Sequence, residues 1–286
     1  SVGKSLVSLV AGYAVCNGYI NHTVFDRIDY PTVEGTLYED QKLIDLLHMM
    51  AGDQNFVGEM EHKSDNRIKD KGKSVSSIPI KTLMKRHFVG KDGEQPGVNF
   101  NYSAVTTNVI MNYVIYKTGD DWEKLLHKIF VEDAKVSKRV YFGKTLDKWG
   151  KRKTGNRKSG EYGRYSFYAD RYDYLRIAYS MMNHWNNDTC VGKYLKTIYE
   201  QRINKNKKSY NGDKHGQFSV SQYTKKYGGQ FHFDIVGLSK RKIAGLDGFG
   251  GQNIIIDFEK KRIIVVNSRD RHYNWKKIVL KKLKQK

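Results

Sequence analysis

The chain is poor in residues that interrupt or crosslink a fold. Three prolines in 286 residues leave no room for a proline-rich linker. A chain that is 39% hydrophobic and 13% aromatic is not compositionally disordered either. No apolar run approaches the roughly 20 residues that span a bilayer, so no transmembrane segment is expected. The longest run, Leu6 to Cys16, is broken by Ser8, Gly12 and Tyr13 and reads as a buried helix. The two cysteines, Cys16 and Cys190, lie far apart without metal-ligand spacing, and Cys16 in an apolar helix predicts a free, inert thiol. Nine histidines form no His-x-x-x-His or His/Cys pattern, which argues against zinc; no metal and no cofactor is expected. Acid is also scarce, since 51 Lys and Arg stand against 30 Asp and Glu for a net charge of +21. That excess fits a polyanion (nucleic acid, an anionic membrane surface or a wall polymer) or a plain bias toward Lys, Asn, Ile and Tyr. The charges are scattered along the chain, which favours the bias, and no specific nucleic-acid partner is expected.

What is present reads as helices followed by strands. Val2 to Val15 is nearly continuously apolar and stops at Gly18, a helix with a C′ glycine. Lys42 to Met50 is a short amphipathic helix, and 57–97 is mostly loop with a helical piece near Thr82 to Phe88. Ser103 to Gly119 is a clear helix, and Asp120-Asp121 caps another that carries Trp122, Leu125, Ile129 and Phe130. Lys144 to Arg164 is a basic, Gly-rich surface excursion. Tyr172 to Gln201 is helical again. Asn253 to Phe258 and Arg262 to Asn267 form an antiparallel hairpin, and His272 to Lys286 is an amphipathic helix with Trp275, Ile278, Val279 and Leu283 inward. This order suggests an α+β fold. Residues 1–227 form a mainly helical part, and 228–286 supply the strands and helix of an α/β part, the two making one functional unit.

The chemistry is carried first by Ser1-Val2-Gly3-Lys4. Residues i and i+3 share a helix face, so the Lys4 amine lies one turn from the Ser1 hydroxyl. A desolvated lysine has a depressed pKa and can accept the serine proton, and the helix N-terminus favours a developing negative charge. The tetrapeptide alone is weak, because Ser239 and Lys242 repeat it in a polar stretch.

Its company is more specific. The segment 1–12 followed by Gly18-Tyr19-Ile20 resembles the nucleophile helix of class C β-lactamase-like serine hydrolases, a superfamily shared with the penicillin-binding proteins. The similarity is greatest to the branch of esterases and 6-aminohexanoate-dimer hydrolases. The resemblance continues in order: Leu46 to Gly52 resembles "LLxMxSG", Pro96 to Ser103 "PGxxFxYS", Tyr174 to Ala178 a "DLARF"-like helix, and Gly248 to Gln252 the closing "GxGGQ". It covers essentially the whole chain. The implied fold is α+β and β-lactamase/transpeptidase-like: an antiparallel sheet flanked by helices plus a mainly helical domain, here without the strands upstream of the nucleophile. It implies Ser1 as nucleophile, Lys4 as base, Tyr102 as proton relay, and the N–H groups of Ser1 and Phe249 as the oxyanion hole. Gly248, Asp247, Gln252 and Ala104 would line the substrate site. A free amine at Ser1 is expected to perturb that hole.

Two positions depart from the family. Ala104 stands where the Tyr-x-Asn motif has its asparagine, and Leu246-Asp247-Gly248 replaces the Lys/His-Thr/Ser-Gly triplet. Without that cation a substrate carboxylate has less to bind. The expected substrate is therefore a small-molecule ester or amide rather than a β-lactam. Two other readings stand beside it: an N-terminal nucleophile hydrolase, disfavoured because Ser1 opens a helix, and a decayed hydrolase fold that binds an anionic polymer.

Overall fold

A computed structural model describes residues 2–20, 23–53, 79–90, 92–137, 141–144, 165–205, 220–248, 250–268, 270 and 273–285, with only the backbone of 141–144 and 165–166. The chain forms two compact units. One comprises Ser1–Leu6, Ile129–Val140 and Ala169–Lys286; the other comprises Val7–Lys128 and Tyr141–Tyr168. They are called here the sheet unit and the helical unit.

Helix α1 (Val2–Cys16) begins in the sheet unit and continues into the helical unit. It ends where Gly18 takes φ +75° and the Tyr19 N–H reaches back to Ala14 O, the glycine stop that the sequence announces. The helical unit continues with α2 (Leu43–Leu47), α3 (Ile80–Leu83) running on as a π-helix Met84–Phe88, α4 (Ala104–Thr118) and α5 (Trp122–Leu126). α2 is shorter than its amphipathic pattern suggests, because Met49 adopts φ +59° and turns the chain. α4 starts at Ser103, whose Oγ accepts the Thr106 N–H at 3.2 Å, and ends at Gly119 with φ +51°. Asp121 does not cap α5 through its side chain; its carboxylate instead accepts the Tyr19 hydroxyl at 3.1 Å. A two-stranded antiparallel ribbon, β1 (Tyr141–Lys144) and β2 (Tyr165–Tyr168), brackets 145–164, which lie outside the described residues, as does most of the expected basic excursion.

The sheet unit holds α6 (Arg171–Asn186) and α7 (Cys190–Glu200), N-capped by Asp170 and Thr189. Its sheet has six strands in chain order, all antiparallel: β3 (Ile203–Asn204), β4 (Thr224–Gly228), β5 (Phe231–Ile235), β6 (Ile243–Asp247), β7 (Gln252–Asp257) and β8 (Arg262–Asn267). Only the β7–β8 hairpin was legible beforehand. Trp185 of α6 stacks on Phe258 at 4.1 Å and Tyr199 of α7 meets Phe233 edge-on, so both helices pack on the sheet. A separate core joins Val220, Tyr223, Ile235, Ile243 and Ile255 to Trp275, Val279 and Leu283 from the C-terminal helix. That helix is a π-turn Lys276–Leu280 continuing into α8 (Lys281–Lys284). Its wide first turn keeps Trp275, Val279 and Leu283 aligned at four-residue spacing, and Ile278 points outward at 45% exposure, not inward as expected.

The cysteine expectation is also overturned. Neither thiol is free; both Cys16 and Cys190 are disulfide-bonded. Cys16 is only half-buried and Cys190 is exposed, so neither has the apolar burial that the inert-thiol reading assumed.

Candidate functional site

Of the residues singled out from sequence, Ser1 and Phe249 lie outside the described residues. Lys4, Asp247, Gly248 and Gln252 belong to the sheet unit, and Tyr102 and Ala104 to the helical unit. Lys4 is half-buried in the first turn of α1. The next residue fixes that turn: Ser5 is buried, and its Oγ donates to Gln230 O at 2.6 Å in the β4–β5 turn. In an antiparallel meander the β4–β5 and β6–β7 turns lie at the same end of the sheet. The turn of Lys4 is therefore tied to the end that carries Gly248 to Gly251.

The β6–β7 turn depends on glycine at position 251. Gly251 has φ +91°, and a Cβ there would lie 2.7 Å from Asp270 O. The Gly248 N–H donates to Gln252 O at 2.7 Å, and the Gly250 N–H donates to Gln252 Oε1 at 3.1 Å. Gln252 in turn donates to Ser268 O at 3.1 Å. Asn253 Nδ2 donates to the Tyr273 hydroxyl at 2.9 Å, while its Oδ1 accepts the Val220 N–H at 3.1 Å. Gln252 is thus a brace of the turn, which holds backbone N–H groups in a fixed orientation.

Tyr102 owes its setting to a buried carboxylate that the sequence did not reveal. Asp53 is 0% exposed and accepts from Tyr38 Oη at 2.8 Å, Asn101 Nδ2 at 3.1 Å and Thr106 Oγ1 at 3.1 Å. Burial and the neighbouring carboxylate push the Tyr38 phenol well above its usual range, so it stays a donor. Met49 adds two anchors: its carbonyl accepts the Asn101 N–H at 2.7 Å, and its sulfur accepts the Ser103 N–H at 3.4 Å. The residues on both sides of Tyr102 are therefore pinned, and Tyr102 itself is 37% exposed rather than part of a core. Gly52, next to Asp53, must be glycine where the Glu94 backbone crosses it, since a Cβ on it would lie 2.0 Å from Glu94 O. Ala104 opens α4, exposed, and offers no amide.

Asp247 ends β6, one residue after Leu246, which stands where the resemblance would place a cation, and a buried lysine lies within electrostatic reach of its carboxylate. Lys205, just beyond β3, is 5% exposed; its ammonium donates to Ser221 O and, at 3.0 Å, to Thr224 Oγ1. Burial lowers its pKa to about 7, against the opposing pull of the Asp247 carboxylate. His232 lies alongside, its Nδ1 3.5 Å from Thr224 Oγ1. Burial, and then the Lys205 charge, hold it well below the ordinary histidine range, so it is neutral. Lys205 gave no sequence signal, because it sits in a run of lysines and asparagines.

No protein-family model matches the chain, and no curated protein sequence does. Solved structures do. A penicillin-binding protein homologue from Pyrococcus abyssi, described as octameric, superposes with a TM-score of 0.65 at 19% identity. That match covers 99% of this chain and 64% of the other, so the chain spans under two thirds of that protein's length. A class C β-lactamase gives a TM-score of 0.55 at 13% identity over 93% of this chain and 74% of its own. A D-stereospecific amidohydrolase from Streptomyces gives 0.54 at 13% identity over 95% and 81%. The fold is therefore α+β and β-lactamase/transpeptidase-like, as the ordered motifs implied.

Proposed function

We propose that the chain is a serine hydrolase that cleaves an ester or amide bond through an acyl-enzyme on Ser1. In this reading the Lys4 amine takes the proton from the Ser1 hydroxyl as its oxygen attacks the substrate carbonyl carbon. The oxyanion is held by the N–H groups of Ser1 and Phe249. Tyr102 relays that proton from the Lys4 ammonium to the departing alcohol or amine, and water then attacks the acyl-enzyme and releases the acid, returning Ser1 and Lys4 to their starting states. The observation that carries the reading is Tyr102: exposed at the head of α4, with both neighbours anchored, in a fold of this type. The Lys205 charge near Asp247 bears on the substrate, because with the two opposed there is little net charge to attract a carboxylate. An ester or linear amide is accordingly favoured over a β-lactam.

A fluorophosphonate probe tests the proposal. Labelling that disappears in Ser1→Ala is the expected result, and a folded, complete protein that takes no label sinks it. Tyr102→Phe should slow turnover of a short-chain ester by roughly 100-fold or more, the usual size of a general-acid contribution. A chromogenic cephalosporin tests the substrate reading. Faster cleavage of it than of the ester or a linear amide would overturn the preference for an uncharged acyl group.

A further inference from the structure

The lysines that look scattered in sequence gather at one edge of the sheet unit. Three separate stretches meet there: the β5–β6 connection 236–242, the β7–β8 turn 258–261, and α8 with Gln285. Arginines tie them together. Arg241 Nη1 donates to Leu283 O at 2.8 Å, and Arg262 Nη1 donates to Lys282 O at 2.6 Å and Gln285 O at 3.1 Å. The Phe258 N–H donates to Lys242 O at 3.0 Å, and Arg241 also pairs with the buried Asp257. The arginines thus occupy the carboxylate and the helix-end carbonyls that would otherwise attract nearby cations.

The lysines around them are left uncompensated. Lys240, Lys242, Lys260, Lys261, Lys281, Lys282 and Lys284 are all exposed, and among the described residues none forms an ion pair, unlike Lys117 with Asp29 or Lys196 with Asp188. Glu259 is the single exposed acid in the three stretches. Val236, at 42% exposure, stands among them, and Ile278, at 45%, lies in the π-turn that leads into α8. Gly237, next to Val236, lies under the Lys284 ammonium, which is 3.7 Å from where a Cβ would sit.

The chemistry of this edge selects its partner. Ammonium groups are point charges, suited to a diffuse negative surface, whereas nucleic acid is read by outward guanidinium forks and stacked rings. Here the arginines turn inward, and none of the exposed aromatic side chains lies in the three stretches. Lysines interspersed with exposed aliphatics are the composition that binds an anionic lipid interface. No described helix is long and apolar enough to cross a membrane. We propose that this edge docks the protein on an anionic phospholipid surface. β6 runs from this edge to the Gly248–Gly251 turn, a span of roughly 17 Å for five residues, so docking leaves that turn facing away. The inference stands independently of the hydrolase reading.

Cosedimentation with phosphatidylcholine vesicles, with and without 30 mol% phosphatidylglycerol as a roughly physiological anionic fraction, tests it. Lys281→Gln/Lys282→Gln/Lys284→Gln is compared with Lys85→Gln/Lys124→Gln/Lys193→Gln, which removes as much charge from exposed lysines elsewhere. Binding is expected only to the anionic vesicles and is released by high salt. At roughly fivefold per lysine, the first variant should partition about 100-fold more weakly and the second nearly as the parent. Equal losses in both variants would mean that overall charge, not this edge, is responsible. Absence of binding by the folded parent, or tighter and equally lysine-dependent binding to duplex DNA at the same salt, overturns the proposal.

Discussion

Two buried ionisable groups do opposite work in the two units. Asp53 in the helical unit is met by three neutral donors from Tyr38, Asn101 and Thr106, so its oxygens have strong hydrogen-bond partners. Lys205 in the sheet unit has a carbonyl, a hydroxyl and a carboxylate within electrostatic reach, yet burial still brings it to about 7. The first arrangement fixes backbone, because Tyr38 sits on one stretch of chain and Asn101 and Thr106 on another, and all converge on one carboxylate. The second leaves a proton that can be exchanged near neutral pH. A buried ionisable group therefore holds structure when its partners are donors spread along the chain, while for Lys205 desolvation outweighs its partners and brings its proton into play.

The largest test of that contrast is Asp53→Ala. It removes the common acceptor and leaves a phenol, an amide and a hydroxyl without their partner. A loss of about 3–5 kcal/mol is expected in urea unfolding. Asp53→Asn keeps the volume and one acceptor, so it should fold well enough for kinetics. With an ester substrate it should lower kcat by roughly 10- to 100-fold while KM stays within a few fold, because Tyr102 would be misplaced rather than removed. A fall in rate that only tracks the folded fraction would reduce Asp53 to a stability residue and break the comparison on that side.

Lys205→Met tests the other side through pH. The pKa is lowered from 10.5 to about 7 on folding, so below about 7 the amine is charged in both states. Between 7 and 10.5 it is neutral when folded and charged when unfolded, and unfolding takes up a proton. Stability therefore rises with pH across that window, by at most about 1.4 kcal/mol per pH unit from this group. The stability difference between parent and Lys205→Met should change with that slope from pH 7.5 to 9.5 and flatten above 10.5. Parallel curves for the two proteins would show that the amine is not titrating, whatever the constant offset from the lost bonds to Ser221 and Thr224.

How far the sequence carried depended on whether a feature is local. α4 was legible at both ends because Ser103 and Gly119 act on their own neighbours, and the glycine turn before β7 announces itself by composition. Ile278 was misplaced because the π-turn shifts the repeat away from 3.6. β4, β5 and β6 are short and carry Lys, His, Asp and Gly among their apolar residues, so no two-residue alternation stands out. Asp53, Lys205 and the disulfide-bonded cysteines are long-range features. Nothing beside Asp53 in sequence marks it as the partner of Asn101, and nothing near Lys205 points to Asp247.

The smallest effect gives the sharpest test of the Asp53 arrangement. Tyr38→Phe removes one donor and keeps the ring, which packs edge-on against Phe88 at 5.4 Å, so the core should stay filled. Thr106→Val removes a second donor, and both donate to the same oxygen, Oδ2. Each substitution alone should cost about 1–3 kcal/mol in urea unfolding, the range for a buried polar group that loses a hydrogen-bond partner. Together they should be worse than additive by about 0.5–1 kcal/mol, because after the first loss the second leaves Oδ2 buried with no donor at all. Strict additivity would mean that the two bonds stabilise their segments separately. Asp53 would then be two local contacts that happen to share an atom, and the coupling between the Tyr38 loop and the start of α4 would have to run through Asn101 on the other oxygen.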